Sequence, residues 1–317
     1  MIVWVIGAGG LLGSAVVRAA HERGDTVLVS SDIPWSDSAG TVDSIRAYAR
    51  QLLELIDLDE LACWSIIWAA GRATTASSEQ ETAGELATFR LCLDAINEAL
   101  HGLQGGVFAL ASSAGGVYAG SSEPPFTSHS TPRPLGDYGR LKMRQEQVAR
   151  EKLSPAFNVL IARFANLYGP GQDIEKLQGL ISQLALTSVI KRPLTMFVPL
   201  DTLRDYIFAD DAAARLLHWV SNAREDFRVR VIASGQPTTL GYLLTLMKTI
   251  SRTTVPIAYG LHASAAYQSH DLRLLPDTDA TIESLGMTTL PAGLKTIHAD
   301  MLQRSARGMK RPSRTAR

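Results

Sequence analysis

At 317 residues, 46% hydrophobic and 20% charged, the chain is long enough for about two domains or one large α/β unit and needs no cross-links to hold a core. Thirty-one basic residues balance 31 acidic ones, which argues against a protein whose main work is gripping nucleic acid or anionic lipid. Two cysteines, Cys63 and Cys92, rule out a disulfide scaffold and a multi-cysteine zinc site, and no window holds the roughly 18 apolar residues of a membrane span.

In chain order, Ile2 to Ile6 is a short β-branched apolar run that predicts a buried strand. Glycines follow, and from Leu11 the pattern is an amphipathic helix closing at Gly24. Thr26 to Val29 predicts a second strand, Val42 to Ala62 a helix, and Trp64 to Trp68 a third strand running into Ala69-Ala70-Gly71. A long helix is expected over Glu79 to Leu100, a strand over Val107 to Ala111, a helix over Tyr138 to Lys152 and a strand over Asn158 to Arg163. The alternation predicts a doubly wound parallel sheet, a Rossmann-type fold with helices on both faces. After residue 170 the rhythm loosens. Helices are expected at Ile174 to Ile190, Asp210 to Ser221, Leu240 to Ser251 and Ala292 to Gln303, with extended pieces near Thr195 to Val198 and Arg228 to Ala233. The division expected is a dinucleotide-binding domain over 1–170, to which about 205–235 returns, and a smaller α/β substrate domain over 171–303. The tail over 304–317 carries six basic residues and no acid, a composition that favours a solvated, disordered end. With no basic flank or cleavage site before the first strand, the expected location is the cytoplasm.

Gly7, Gly10 and Gly13 stand three apart between a strand and a helix, with Leu11 and Leu12 among them. Such a turn lets backbone N–H groups and a helix N-terminus face a pyrophosphate with no Cβ in the way. An acid about 20 residues on grips the adenosine ribose in such folds, and Asp32 is near that distance. No Lys, Arg or His lies between Arg23 and Arg46, which favours NAD while NADP stays open. Tyr138 and Lys142 lie four apart, on one face of the predicted helix. A phenol is a poor base at neutral pH, and a neighbouring ammonium favours its phenolate. Ser112 and Ser113 end a predicted strand, where a hydroxyl can bond a reacting oxygen. The seven histidines show no HxH or HExxH spacing, so no metal site is expected.

Taken together these motifs resemble the extended short-chain dehydrogenase/reductase superfamily, in its NAD-dependent nucleotide-sugar epimerase/dehydratase branch. The segments that carry the resemblance are GAGGLLG from Gly7, WAAG from Trp68, SSAGGVY from Ser112, PRPLGDYGRLKMRQE around Tyr138, RFANLYGPGQ from Arg163, RDYIFADDAA from Arg204 and LGMTTLPAGL from Leu285. The resemblance implies that Gly7, Gly10 and Gly13 hold the pyrophosphate and that Ala69, Ala70 and Gly71 line the cofactor path. It makes Tyr138 the catalytic base and Lys142 its partner and a cofactor contact. Asn166 and Arg204 then meet a nucleotide-diphosphate sugar, Arg204 by pairing with the diphosphate; the alternative for Arg204 is a surface ion pair with Asp205 or Asp210. The implied activity is epimerisation by transient oxidation of a sugar hydroxyl, with a keto-sugar reductase or dehydrogenase as the alternative, and the implied assembly is a homodimer through the helices at 79–100 and 138–152. Three positions depart from the pattern. Ser31 stands where an acid is usual, the Asp32–Trp64 stretch lacks a clear third strand although Asp57-Leu58-Asp59 faintly resembles the adenine-contacting segment, and Ala114 fills the usual catalytic Ser/Thr position, one after Ser113.

Overall fold

The computed structural model describes residues 1–58, 63–153, 157–174, 179–261 and 263–307. The first half alternates as the hydrophobic pattern requires: β1 (Ile2–Ile6), α1 (Leu11–Glu22), β2 (Thr26–Val29), α2 (Ser38–Leu58), β3 (Trp64–Trp68), α3 (Glu79–Ala99), β4 (Val107–Ser113), a one-turn α4 (Ala114–Val117), α5 (Asp137–Leu153) and β5 (Asn158–Phe164). Then come β6 (Asn166–Tyr168), α6 (Leu180–Ile190), β7 (Leu194–Met196), β8 (Leu203–Phe208), α7 (Ala209–Ser221), β9 (Phe227–Ile232), β10 (Pro237–Thr239), α8 (Leu240–Ser251), β11 (Ile257–Tyr259), a 3₁₀ turn (Ala263–Tyr267), α9 (Ala280–Ser284) and α10 (Leu290–Ala306). The end of the helix expected to reach Ala62 and all of the tail past residue 307 lie outside the described residues; the helix expected from Ile174 starts only at Leu180, after a left-handed Gly179, with Ile174 itself in a bend.

Six parallel strands form the central sheet in the order β2-β1-β3-β4-β5-β9. Strands buried on both faces read as unbroken apolar runs, and β1 and β3 are buried at every residue. Helices α1 and α7 pack together over one face, and α2, α3 and α5 cover the other. Chain direction reverses beside β1: α1 leads outward to β2, and α2 crosses back to β3. The crevice beyond the carboxyl ends of β1 and β3 is therefore the switch point at which such sheets bind ligands.

The expected return of residues 205–235 is made by α7 and β9 alone. β8 instead lies in a separate three-stranded sheet, β10-β8-β6, because its inward Tyr206 and Phe208 pack with Tyr168 against helices α6, α8 and α10. Only Ala165 separates β5 of the large sheet from β6 of the small one, so the two halves meet at the strand ends.

Candidate active site

The glycine turn is built by close approach. Gly7 has φ +91°, and a Cβ there would sit 2.5 Å from the Ala70 nitrogen; one on Gly13 would sit 2.2 Å from the Gly7 carbonyl oxygen. Only glycine allows the loops after β1 and β3 to touch and α1 to press against the turn. Gly10 caps α1 with no side-chain hydrogen bond, and the first turn, with Leu11 and Leu12, holds no acid. The helix thus presents unsatisfied N–H groups and the positive end of its dipole to the crevice, which suits a pyrophosphate. A cleft of about 600 Å³ runs from Gly7, Ala8 and Gly9 to Ser31, Asp32 and Trp35. Tyr48 of α2 clasps the backbone of Ser31, accepting from its N–H at 3.0 Å and donating to its carbonyl at 3.1 Å. Asp32 follows in the left-handed region at φ 55°, exposed on the cleft wall.

Arg18 also lines this cleft. It reaches the wall from α1, ahead of the Arg23–Arg46 interval that holds no cation, and its guanidinium is paired with Asp210 of α7.

At the far side of the crevice, α5 starts against α4. A Cβ on Gly139 would meet the Gly116 carbonyl oxygen at 2.3 Å, and one on Gly116 would meet the Tyr138 ring at 3.0 Å. The ring of Tyr138 thereby packs against Gly116 of α4. Lys142 Nζ lies 5.9 Å from the Tyr138 ring centroid, and the side chain is buried. It donates to Gln145 Oε1 at 3.1 Å and to the Ala111 carbonyl at 3.4 Å, and Gln145 Nε2 donates onward to Glu85 Oε1 at 3.4 Å. The other Glu85 oxygen accepts the backbone N–H groups of Arg72 and Ala73, each at 2.8 Å. One carboxylate on α3 therefore ties the backbone beside Ala69, Ala70 and Gly71 to the ammonium beside Tyr138.

The two strand-end serines part ways. Ser113 caps α4, its hydroxyl oxygen accepting from Gly116 N–H at 3.1 Å, which leaves its proton available to an oxygen in the crevice. Ser112 is buried and donates to Glu146 Oε1 at 2.5 Å, as part of the packing between β4 and α5. Asn166 on β6 donates to the Asp205 carbonyl at 2.9 Å. Arg204 on β8 is 7% exposed; burial pushes its guanidinium below the ordinary value, and it bonds the Leu203 carbonyl at 2.8 Å and Gln268 Oε1 at 3.3 Å. Neither aspartate considered for it is its partner: Asp205 accepts from Ser234 N–H, and Asp210 pairs with Arg18. Among the described residues no carboxylate forms an ion pair with Arg204.

A family model described as the NAD dependent epimerase/dehydratase family matches residues 3–233. The chain belongs to that family. NAD is accordingly its cofactor, and the glycine cradle fits the pyrophosphate. Among proteins of known activity, a dTDP-L-rhamnose 4-epimerase of Burkholderia thailandensis is 28% identical over 119 residues, which is 37% of this chain and 33% of that relative's length. Among solved structures, a UDP-glucose 4-epimerase of Thermotoga maritima with UDP-glucose superposes at TM-score 0.75 and 21% identity, covering 96% of this chain and 100% of that one. The NDP-hexosamine 5,6-dehydratase TunA superposes at TM-score 0.72 and 17% identity, covering 96% and 98%. These likenesses establish the fold, and both reaction types of the family occur among them. No helix among the described residues is long and apolar enough to cross a membrane, and no cluster of metal-ligating side chains is present among them.

Asp205 gives this family member a pH signature. Its carboxylate is fully buried; Oδ1 accepts from Ser234 N–H at 2.8 Å, while Oδ2 has no hydrogen-bond partner among the described residues. Burial raises its pKa to about 6, against the pull of the Ser234 N–H. A carboxyl raised in the folded state binds more protons there than when unfolded, so its contribution is full below about pH 4 and is lost as pH rises through 6. The roughly two-unit gap corresponds to about 3 kcal/mol at most. Urea unfolding of the parent and Asp205→Asn at pH 4.5 and 7.5 is expected to show the parent losing stability relative to the variant at the higher pH. A difference that stays constant with pH removes the assignment.

Proposed function

We propose that the chain is a nucleotide-sugar epimerase that acts by transient oxidation of a sugar hydroxyl. The reading is carried by Arg204, a buried guanidinium with no carboxylate within ion-pair distance among the described residues, Asp271 favouring its charge only from farther off. Such a group calls for an external anion, and its planar fork matches a diphosphate. Bound NAD supplies the hydride acceptor and, on the return step, the hydride donor. Tyr138 takes the proton of the carbon-4 hydroxyl as that carbon is oxidised and returns it when the keto sugar has turned over. Lys142 meets the nicotinamide ribose, Ser113 donates to the reacting oxygen, and Asp32 holds the adenosine ribose. Asn166 and Arg204 bind the substrate. The reading includes a cytoplasmic homodimer pairing through α3 and α5, which the exposed stripe of Ala83, Ala87 and Leu91 on α3 supports.

Elimination of water requires its own acid and base near carbons 5 and 6. The residues after Ser113 are Ala114, Gly115, Gly116 and Val117, which carry no proton, and the next acid along the chain, Glu123, is exposed on a loop. Without a positioned acid the elimination forfeits roughly a hundred- to ten-thousandfold in rate. Incubation with a panel of nucleotide sugars, followed by mass measurement, is therefore expected to give products of unchanged mass. A change of two hydrogens identifies the reductase alternative, and catalytic loss of water overturns both. Arg204→Ala is expected to raise KM roughly 10- to 100-fold with little change in kcat, the scale of losing a hydrogen bond to a charged group. Unchanged affinity for nucleoside diphosphates in that variant would remove the diphosphate role.

A further inference from the structure

In the usual doubly wound order a third strand lies outside the second and walls the cleft at the adenine end. Here, among the described residues, β2 is the edge of the sheet, and residues 30–37 lead directly into α2. On the cleft wall in that loop stands Trp35. It is 45% exposed, while Trp4, Trp64 and Trp68 are at most 5% exposed and Trp219 is half-buried. An indole left uncovered beside a nucleotide-sized cleft stands out in a chain that covers each of its other four indoles more fully.

The ring is also held in place. Trp68 meets it edge-on, with centroids 6.2 Å apart and planes at 78°, and Trp68 is itself fixed by β3 and by its Nε1 donating to the Ala70 carbonyl at 3.0 Å. Beneath the loop, Ile33 is buried in the core under α2. The Pro34 carbonyl accepts from Asp37 N–H at 2.8 Å and from Thr41 Oγ1 at 2.9 Å, and Asp37 Oδ1 accepts from Ala39 N–H at 3.0 Å. The indole is thus presented on a pinned loop, so little conformational freedom remains to be lost when a planar ligand stacks on it.

We propose that Trp35 is the adenine platform of the NAD cleft, taking over the wall that an outer strand provides elsewhere. The inference rests on NAD occupying the glycine cleft. Stacking of a base on an aromatic side chain is worth a factor of roughly 5 to 150 in affinity. Calorimetric titration of the ligand-free protein with NAD, AMP and nicotinamide mononucleotide tests it. Trp35→Ala is expected to weaken NAD and AMP by the same factor within that range and to leave nicotinamide mononucleotide unchanged. Trp35→Phe keeps a ring in place; it is expected to bind NAD within about threefold of the parent and to lose the quenching of tryptophan emission that AMP produces in the parent. NAD affinity within twofold of the parent in Trp35→Ala, an equal loss for the mononucleotide, or quenching that persists in Trp35→Phe overturns the assignment. A parent protein that binds neither NAD nor AMP overturns the cofactor reading beneath it.

Discussion

Tyr138→Phe is expected to lower turnover by at least about a hundredfold while leaving the fold and NAD affinity unchanged. The substitution removes one oxygen from a ring whose position is set by α4 and Gly116, so packing survives and only the proton acceptor is lost. Lys142 keeps its bonds to Gln145 and Ala111, neither of which involves the phenol. A general base contributes to the transition state and not to ground-state binding, so the loss falls on kcat and on kcat/KM alike, with KM for the sugar nucleotide little changed. Steady-state kinetics with a calorimetric NAD titration checks both halves. Activity within a few-fold of the parent would take Tyr138 out of the catalytic role.

The second large effect is on stability. Arg163 of β5 faces Ser112 of β4 in register and forms a bidentate pair with Glu146 of α5, at 3.0 Å from Nε and 2.6 Å from Nη2, with both side chains 5% exposed. Its third contact is Nη1 to the Tyr118 hydroxyl at 2.7 Å, and that hydroxyl donates to the Thr127 carbonyl at 2.7 Å. Burial disfavours the guanidinium charge, yet Glu146 outweighs it and holds Arg163 above its ordinary value. Arg163→Met leaves a buried carboxylate with only the Ser112 hydroxyl, and removing one member of such a pair costs about 3–5 kcal/mol. Replacing both, as Glu146→Leu with Arg163→Met, is expected to recover most of the loss, because no charge is then stranded. Urea midpoints of the single and double variants decide this; a single variant within about 1 kcal/mol of the parent would show the pair to be inert.

The parallel sheet was legible because its inner strands β1, β3, β4 and β5 are buried on both faces and its helices are amphipathic, so local pattern and tertiary role agree. The Gly7 turn and the Tyr138–Lys142 spacing were legible for a related reason: each is a short-range geometric demand written in consecutive residues. What escaped was written across the chain. Glu85 and Gln145 are ordinary helical residues until folding brings α3 against α5, and Arg18 is 14 residues from Asp32 along the chain yet on the same cleft wall. The pairing of Ser112 with Glu146 was invisible because its strand position permits either a catalytic or a packing role. Strands β6, β8 and β10 are three to six residues long and mixed in direction, so neither length nor alternation announced them.

On the proposed assignment the acid–base pair stands on α5, against the large sheet, and the substrate grip on the small sheet. Tyr138, Lys142, Glu85 and Ser113 are fastened by contacts within residues 71–145, whereas Asn166 and Arg204 ride on β6 and β8. For protein engineering this is a seam. On that assignment the small sheet can be exchanged to recruit another sugar or another nucleoside without touching the groups proposed to move the proton, provided that α7 and β9, which complete the large sheet, stay with residues 1–164.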